Sequence, residues 1–175
     1  MKTRTLSLCA GILLLGWNVS SCCNQTPQND PVKEVVNVTL KDYGAEPTVL
    51  DIDAYTMTNS NFRTALWTGT LLQVTLMSIP VGGEVGLEIH PDTDQFLRVE
   101  DGNARVEMGD TQDKLTYVKV AETDYAIIVP AGKWHNIINI GNKPLKLYSI
   151  YAPVHHPHST IHKTLEEAEE AEHHH

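Results

Sequence analysis

Apolar and polar residues alternate with a period of two through much of the chain between residues 71 and 151. Val85, Leu87 and Ile89 alternate with Gly86, Glu88 and His90, so a strand there places Glu88 and His90 on one face. The same alternation, or a short apolar run, predicts strands over 71–79, 85–90, 95–100, 103–108, 115–120, 125–129, 134–140 and 145–151. Pro80, Pro91-Asp92-Thr93-Asp94, Gly102-Asn103, Gly109-Asp110, Asp124, Pro130-Ala131-Gly132 and Gly141-Asn142 separate them as turn signals. Upstream, residues 35–40 predict a first strand, 43–61 read as irregular, and 62–67 form a short apolar piece. Many short strands with regular turns predict an all-β sandwich or barrel with its core in residues 70–152. No helix-period segment interrupts them, which argues against a parallel α/β sheet. The one helical candidate, 163–172, is rich in Glu and Ala. Its acidity is expected to keep it outside the barrel or to let it fray.

The N-terminus has a different pattern. Lys2 and Arg4 precede an apolar run from Leu6 to Trp17, followed by small residues, as in a secretory signal. The run falls short of the roughly 20 apolar residues a spanning helix needs. Val19-Ser20-Ser21-Cys22 resembles a bacterial lipobox, in which the cysteine is lipidated and becomes the mature N-terminus. The other reading is ordinary cleavage, with Cys22 and Cys23 left as thiols or a disulfide. The expected organisation is a signal peptide at 1–21, a polar tether at 22–34, the β domain at 35–162 and an acidic tail at 163–175. A membrane-anchored lipoprotein of the bacterial cell envelope follows, with the lipid as its only membrane contact. Beyond Cys9, Cys22 and Cys23 there is no cysteine, so no disulfide framework supports the fold. Loss of residues 1–21 removes Lys2 and Arg4 and no acid, which moves the formal charge from −9 to −11. That balance argues against nucleic acid as a partner.

Two stretches carry chemistry-bearing residues at fixed spacing. In the first, Gly82 is followed after five residues by Glu88-Ile89-His90, then after four by Gln95, then after six by Gly102. In the second, Asp124 is followed after five residues by Pro130-Ala131-Gly132, then after two by His135, then after three by Asn139. Together they resemble the two linked motifs of the cupin superfamily, over about seventy contiguous residues. The resemblance implies a double-stranded β-helix, the jelly-roll barrel, in a small single-domain protein. It further implies that Glu88, His90, Gln95 and His135 converge inside the barrel as ligands of a divalent metal. The chain departs from the usual three His and one Glu at two positions. Glu88 stands where the first His is expected, and Gln95 where the Glu is expected. Asp124 replaces a motif glycine.

Two imidazoles, one carboxylate and one amide oxygen form a harder donor set than three imidazoles. They favour Mn²⁺ or Fe²⁺, with Zn²⁺ also compatible. Glu88 is the one charged ligand, which gives a loaded site a net charge of about +1. Without metal, the same four groups can satisfy one another as a hydrogen-bonded polar pocket. Asp92 and Asp94 flank the site. Asp94 is a candidate general base, although Asp at such positions commonly makes the turn itself. Arg98 and Trp134 are expected on the opposite face from Gln95 and His135. His155, His156, His158 and His162 form a second cluster, broken by prolines, for which a loop at the barrel mouth is one placement.

No nucleophile elbow or phosphate loop is present in the sequence. The resemblance therefore leaves three function classes. One is a metal-dependent enzyme acting on a small molecule, of dioxygenase, isomerase or lyase type. The second is a non-catalytic binder of a sugar or other small molecule without metal. The third is a structural module. A homodimer formed through the sheets is expected.

Overall fold

In the computed structural model of the chain, residues 37–172 are described. The segment 1–21 expected to be a signal peptide, Cys22, the segment 22–34 expected to be a tether and the terminal histidines 173–175 lie outside the described residues. In chain order the elements are α1 (Ile52–Thr58), β1 (Arg63–Thr68), β2 (Gln73–Ile79), β3 (Glu88–Ile89), β4 (Asp94–Asp101) and β5 (Asn103–Gly109). They continue with β6 (Tyr117–Glu122), β7 (Ala126–Val129), β8 (Trp134–Asn139), β9 (Leu145–Ala152), β10 (Ile161–His162) and α2 (Leu165–Glu172). The strands form a six-stranded sheet, β10-β1-β2-β9-β4-β7, and a four-stranded sheet, β3-β8-β5-β6. Every strand pair is antiparallel. The all-β architecture is the one the alternating pattern predicts, and its double-stranded β-helix form is the one the resemblance implies.

The register explains where polar chemistry can sit. On β2 the inward residues are Gln73, Thr75, Met77 and Ile79, and they face Tyr151, Ser149, Leu147 and Leu145 on β9. On β4, Gln95 pairs with Tyr151, Leu97 with Ser149 and Val99 with Leu147. The inner surface is therefore apolar at one end and polar at the other. Met77, Leu97, Val99 and Leu147 meet Val106 and Ile137 of the second sheet in one core, all at most 2% exposed. Each such side chain contributes about 1.5–3 kcal/mol by leaving water. This apolar half holds the sheets together and leaves the other end for groups that do not stabilise by packing.

Several elements differ from the expected pattern. Residues 37–40 form no strand. β10 occupies the free edge of β1, so the incoming segment lies on the outer face of the sheet. There Val38 and Leu40 pack with Leu66 and Leu76. The stretch 43–61 contains α1, seven residues that are too short to show a helical period. Asp51 caps it by accepting from the Ala54 N–H at 3.2 Å, and Tyr55 seals it against Leu66 and Leu76. Residues 62–67 largely coincide with β1. β3 is only two residues long, and β6 starts at Tyr117 because 110–116 makes the connection, with a Thr111–Lys114 bridge.

The acidic segment after residue 163 does not lie free of the barrel. Its helix begins on a Thr164–Glu167 cap: the Thr164 hydroxyl accepts from the Glu167 N–H, and the Glu167 carboxylate accepts from the Lys163 N–H. Ala168, 2% exposed, and Leu165 pack on the core, and the small alanine lets a Glu-rich helix sit close to it. Asp124, the residue at the motif glycine, has φ +73°. Aspartate tolerates that left-handed conformation better than most residues, and here its carboxylate also accepts from Arg98 at 2.5 Å.

Asp42 ties both ends of the domain together. Its carboxylate accepts from the Gly44 N–H at 2.8 Å, the Thr68 hydroxyl at 2.6 Å and the Ser159 N–H at 2.9 Å. His158 lies 3.6 Å away. Burial alone would raise this carboxyl, but the three hydrogen bonds and His158 outweigh it and hold the group below the usual carboxylate range. As pH falls, the unfolded chain takes up the proton first, so the stabilisation is complete above about pH 4 and is lost through the lower folded value. Asp42→Asn is expected to cost about 1–3 kcal/mol at pH 7. The gap from the parent should shrink toward pH 3. Urea unfolding at the two pH values checks this, and a pH-independent gap would count against it.

Candidate metal centre

The centre is built from a cross-strand pair. Glu88 on β3 stands directly opposite His135 on β8, so the two side chains leave the same face. His90 follows Glu88 by two and joins them. The turn that delivers His135 is fixed to the strand end that delivers His90, since the Gly132 N–H donates to the His90 carbonyl at 2.8 Å. Gly132 has φ +76°, which the Pro130-Ala131-Gly132 turn requires. The motif asparagine, Asn139, is a clamp. Its amide nitrogen lies within 3.0 Å of the carbonyls of Ile79, Pro80 and Lys143, and its oxygen accepts from the Gly141 N–H.

Donor atoms of Glu88, His90 and His135 lie within 4.8 Å of one another. Glu88 Oε1 is 3.2 Å from His90 Nε2 and 3.2 Å from His135 Nε2. The His90 and His135 rings meet edge to face at 5.3 Å. Both histidines are buried and Glu88 is half-buried. Burial alone would raise the Glu88 carboxyl. The His135 and His90 contacts and the nearby Arg63 charge outweigh it and hold the group far below its usual range.

The tautomer of His135 follows from its other nitrogen. Nδ1 lies 3.0 Å from the Lys133 carbonyl, which can only accept, so Nδ1 carries the proton. In the neutral ring, Nε2 then turns a lone pair toward the carboxylate oxygen. Two lone pairs at 3.2 Å call for a cation between or beside them, either a proton or a metal ion. The geometry fits a metal: donors in adjacent positions around an ion with bonds near 2.1 Å lie about 3 Å apart. A ligating histidine that donates its second N–H to a backbone carbonyl is also the usual metal arrangement.

Gln95 lies on the inner face of β4, 1% exposed. Its amide nitrogen donates to the Ser149 hydroxyl at 3.0 Å, and its Oε1, also buried, has no hydrogen-bond partner. An oxygen donor without a proton is what an ion could use. Asp94 is placed elsewhere. It is exposed, and its carboxylate accepts from the Ala131 N–H at 2.8 Å, which pins the β7–β8 turn. Asp92 is exposed. Arg98 faces outward, paired with Glu100 and Asp124.

The second histidine cluster divides. His155 sits against His90 at 4.1 Å between ring centres and stacks on Tyr151 at 5.4 Å. Burial is the main cause that lowers its pKa to about 4, so the ring is neutral at pH 7. His156 is buried against Tyr151, and Gln73 holds its backbone by two bonds of 2.9 Å. His158 is outside, against Asp42 and Ser159. His162 belongs to β10, paired with Arg63 in the β1 register.

Sequence patterning alone did not single out Arg63, Tyr151, Gln73, Thr75 and Ser149 as site residues. Arg63 is 1% exposed, on the inner face of β1, with Nη2 3.9 Å from Glu88 Oε2. A single charged residue in the apolar run 62–67 was the available signal. Tyr151 is fully buried beside His90, at 5.6 Å between ring centres, and burial raises its phenol above the ordinary value.

The Cupin domain family model matches residues 75–151. Protein YrkC of Bacillus subtilis (strain 168), described as uncharacterized, is 56% identical over 136 residues, 78% of this chain and 73% of YrkC. Protein L612 of Acanthamoeba polyphaga mimivirus, also described as uncharacterized, is 38% identical over 114 residues, 65% of this chain and 69% of L612. The crystal structure of BH2720 from Bacillus halodurans is 57% identical, with a TM-score of 0.74, and covers 74% of this chain and 98% of BH2720.

Proposed function

Because the chain belongs to the cupin superfamily, we propose that its barrel binds a divalent metal through Glu88, His90 and His135, with the Gln95 oxygen as a fourth donor. One observation carries this reading. Glu88 Oε1 is equally placed, at 3.2 Å, between two Nε2 atoms, and one of those belongs to a ring whose proton is committed to a carbonyl. Two nitrogens and two oxygens suit Mn²⁺ or Fe²⁺, with Zn²⁺ also compatible.

The function that fits this centre is small-molecule chemistry of dioxygenase, isomerase or lyase type. A bound ion would supply Lewis acidity at the end of the chamber. The chain's own groups would do the rest. Lys133 orients His135 through its carbonyl. Tyr151 keeps its phenol proton at neutral pH, and its hydroxyl, next to the Ser149 and Gln95 side chains, can give a hydrogen bond beside His90. His155, neutral over His90, can accept a proton at the mouth. On the α2 side of Arg63 and Glu88, a cavity of about 60 Å³ lined also by Leu165, Ala168 and Glu169 admits only a few water-sized groups. The competing reading is a binder of a sugar or similar molecule without metal, supported by the Gln95–Ser149 hydrogen bond and the Glu88 contacts to both histidines in the same chamber.

Elemental analysis of the purified protein, prepared without added metal, decides between them. Stoichiometric Mn, Fe or Zn is expected. Metal-free protein that also takes up none on addition would sink the enzyme reading. We further propose a lipid-anchored homodimer at the cell envelope. The Val19-Ser20-Ser21-Cys22 junction supports the anchor. The exposed Val118, Val120 and Ile128 on the sheet-edge strands β6 and β7 support the dimer. Light scattering and mass spectrometry of the full chain test both: a monomer, or a mass without acyl groups, removes the corresponding part.

A further inference from the structure

We propose that a groove at the apolar end of the barrel is a second binding site, which takes a small organic carboxylate with an apolar body through Lys146 and Lys163. The site is separate from the metal centre and does not rest on it. Lys146 on β9 stands directly opposite Ser78 on β2, so both side chains leave the outer face of the six-stranded sheet. Ser78 lies five residues along β2 from Gln73, which puts it about 17 Å from the polar end of the strand. The start of α2 joins them there: Ser78, Lys146, Lys163 and Leu165 line one cavity of about 530 Å³. Phe62, Pro80 and Pro144 add apolar surface to it. A recess of that size, mostly apolar with a few polar groups, is the usual form of a small-molecule site.

The charges select the ligand. Lys146, Lys163, Glu84 and Glu166 all line the cavity, but the two signs are served differently. Both carboxylates already have neutral donors. Glu84 Oε2 accepts from the Asn136 amide at 2.7 Å. The Glu166 carboxyl is held below its usual range by its own backbone N–H and the Thr164 hydroxyl. The two ammonium groups have no such anion. Lys146 Nζ donates to the Asn59 carbonyl. Neither lysine forms an ion pair with a carboxylate among the described residues. Burial lowers the Lys146 pKa against the pull of Asp101, so its protonated form gains from an anion placed beside it. A carboxylate in the cavity supplies that anion and takes charge-assisted hydrogen bonds from the lysines. The Ser78 hydroxyl is a neutral third donor, and the apolar body lies against Pro80 and Leu165.

The test titrates octanoate into the full chain by calorimetry at neutral pH. Octanoate should bind, and octanol and octylamine, which keep the apolar body without the carboxylate, should each bind at least about tenfold more weakly. Octylamine covers the case in which Glu84 and Glu166 set the preference instead. Lys146→Met and Lys163→Met should each lower octanoate affinity about tenfold, and the double variant about a hundredfold. If Lys146→Met does not fold, Lys163→Met, at an exposed position, decides. Treatment of the parent with EDTA should leave octanoate affinity within about twofold, because no metal ion takes part. The site is overturned by any of four results: no binding of octanoate, equal binding of octanol or octylamine, affinity in Lys163→Met within about twofold of the parent, or loss of binding with EDTA, which would put the carboxylate on a metal ion.

Discussion

Glu88→Gln is expected to lower affinity for Mn²⁺ or Zn²⁺ about a hundredfold or more, and to cost the metal-free protein about 3 kcal/mol. The first effect follows from charge. Glu88 is the one anion among Glu88, His90, Gln95 and His135, and an amide keeps its shape but not its charge. The second effect needs no metal. The carboxylate faces Arg63 on one side and meets both histidine Nε2 atoms at 3.2 Å on the other, where without a metal a proton must lie between carboxylate and ring. Removing the carboxylate takes one anion away from a buried guanidinium. Titration calorimetry and thermal unfolding without metal measure the two effects separately. A variant that binds within tenfold of the parent would place the ion elsewhere.

That double role was only half legible in the sequence. A strand period of two puts Glu88 and His90 on one face, and the spacing of the second motif brings in His135; the structure places all three within 4.8 Å. Gln95 was also legible as an inward residue. What patterning could not reach was register across sheets. Arg63 stands twenty-five residues before Glu88 with no spacing rule between them, and it arrives because β1 lies in the facing sheet. Tyr151 and Ser149 enter the chamber for a similar reason: β9 pairs with both β2 and β4, so its alternate residues line up with Gln73 and Gln95. Composition misplaces the acidic helix because glutamates dominate its length while the contacts to the core come from two apolar residues. Only Leu165 and Ala168 touch the core, and the remaining glutamates have no bearing on burial. His155 was legible as part of a cluster but not as the member that covers His90, since a loop held by Gln73 carries no period.

Arg63 also changes the charge count on which the last expectation depends. Residues named by the motifs give a loaded site about +1. With the guanidinium included, the same site carries about +2 before any ligand arrives. Gln95→Glu should therefore reduce this to about +1 rather than to neutrality. Anionic ligands would then be weakened without being excluded. The substituted carboxylate can keep the Ser149 contact, because a serine hydroxyl that now accepts from Gln95 can turn to donate. Its other oxygen takes the place of Gln95 Oε1, the buried acceptor without a partner. In the presence of Mn²⁺ or Fe²⁺ this second anion should tighten binding about tenfold or more, which corresponds to about 1.4 kcal/mol. Without metal the outcome reverses. Two carboxylates then share one chamber with one guanidinium, so one of them takes up a proton more readily and the barrel loses about 1–3 kcal/mol at neutral pH. Thermal unfolding of Gln95→Glu with and without ion reads both arms. The metal centre predicts a variant that is weaker than the parent when empty and stronger when loaded. Destabilisation that neither ion relieves would mean that the chamber is a hydrogen-bonded pocket, and the metal reading of Glu88, His90, Gln95 and His135 would have to be given up.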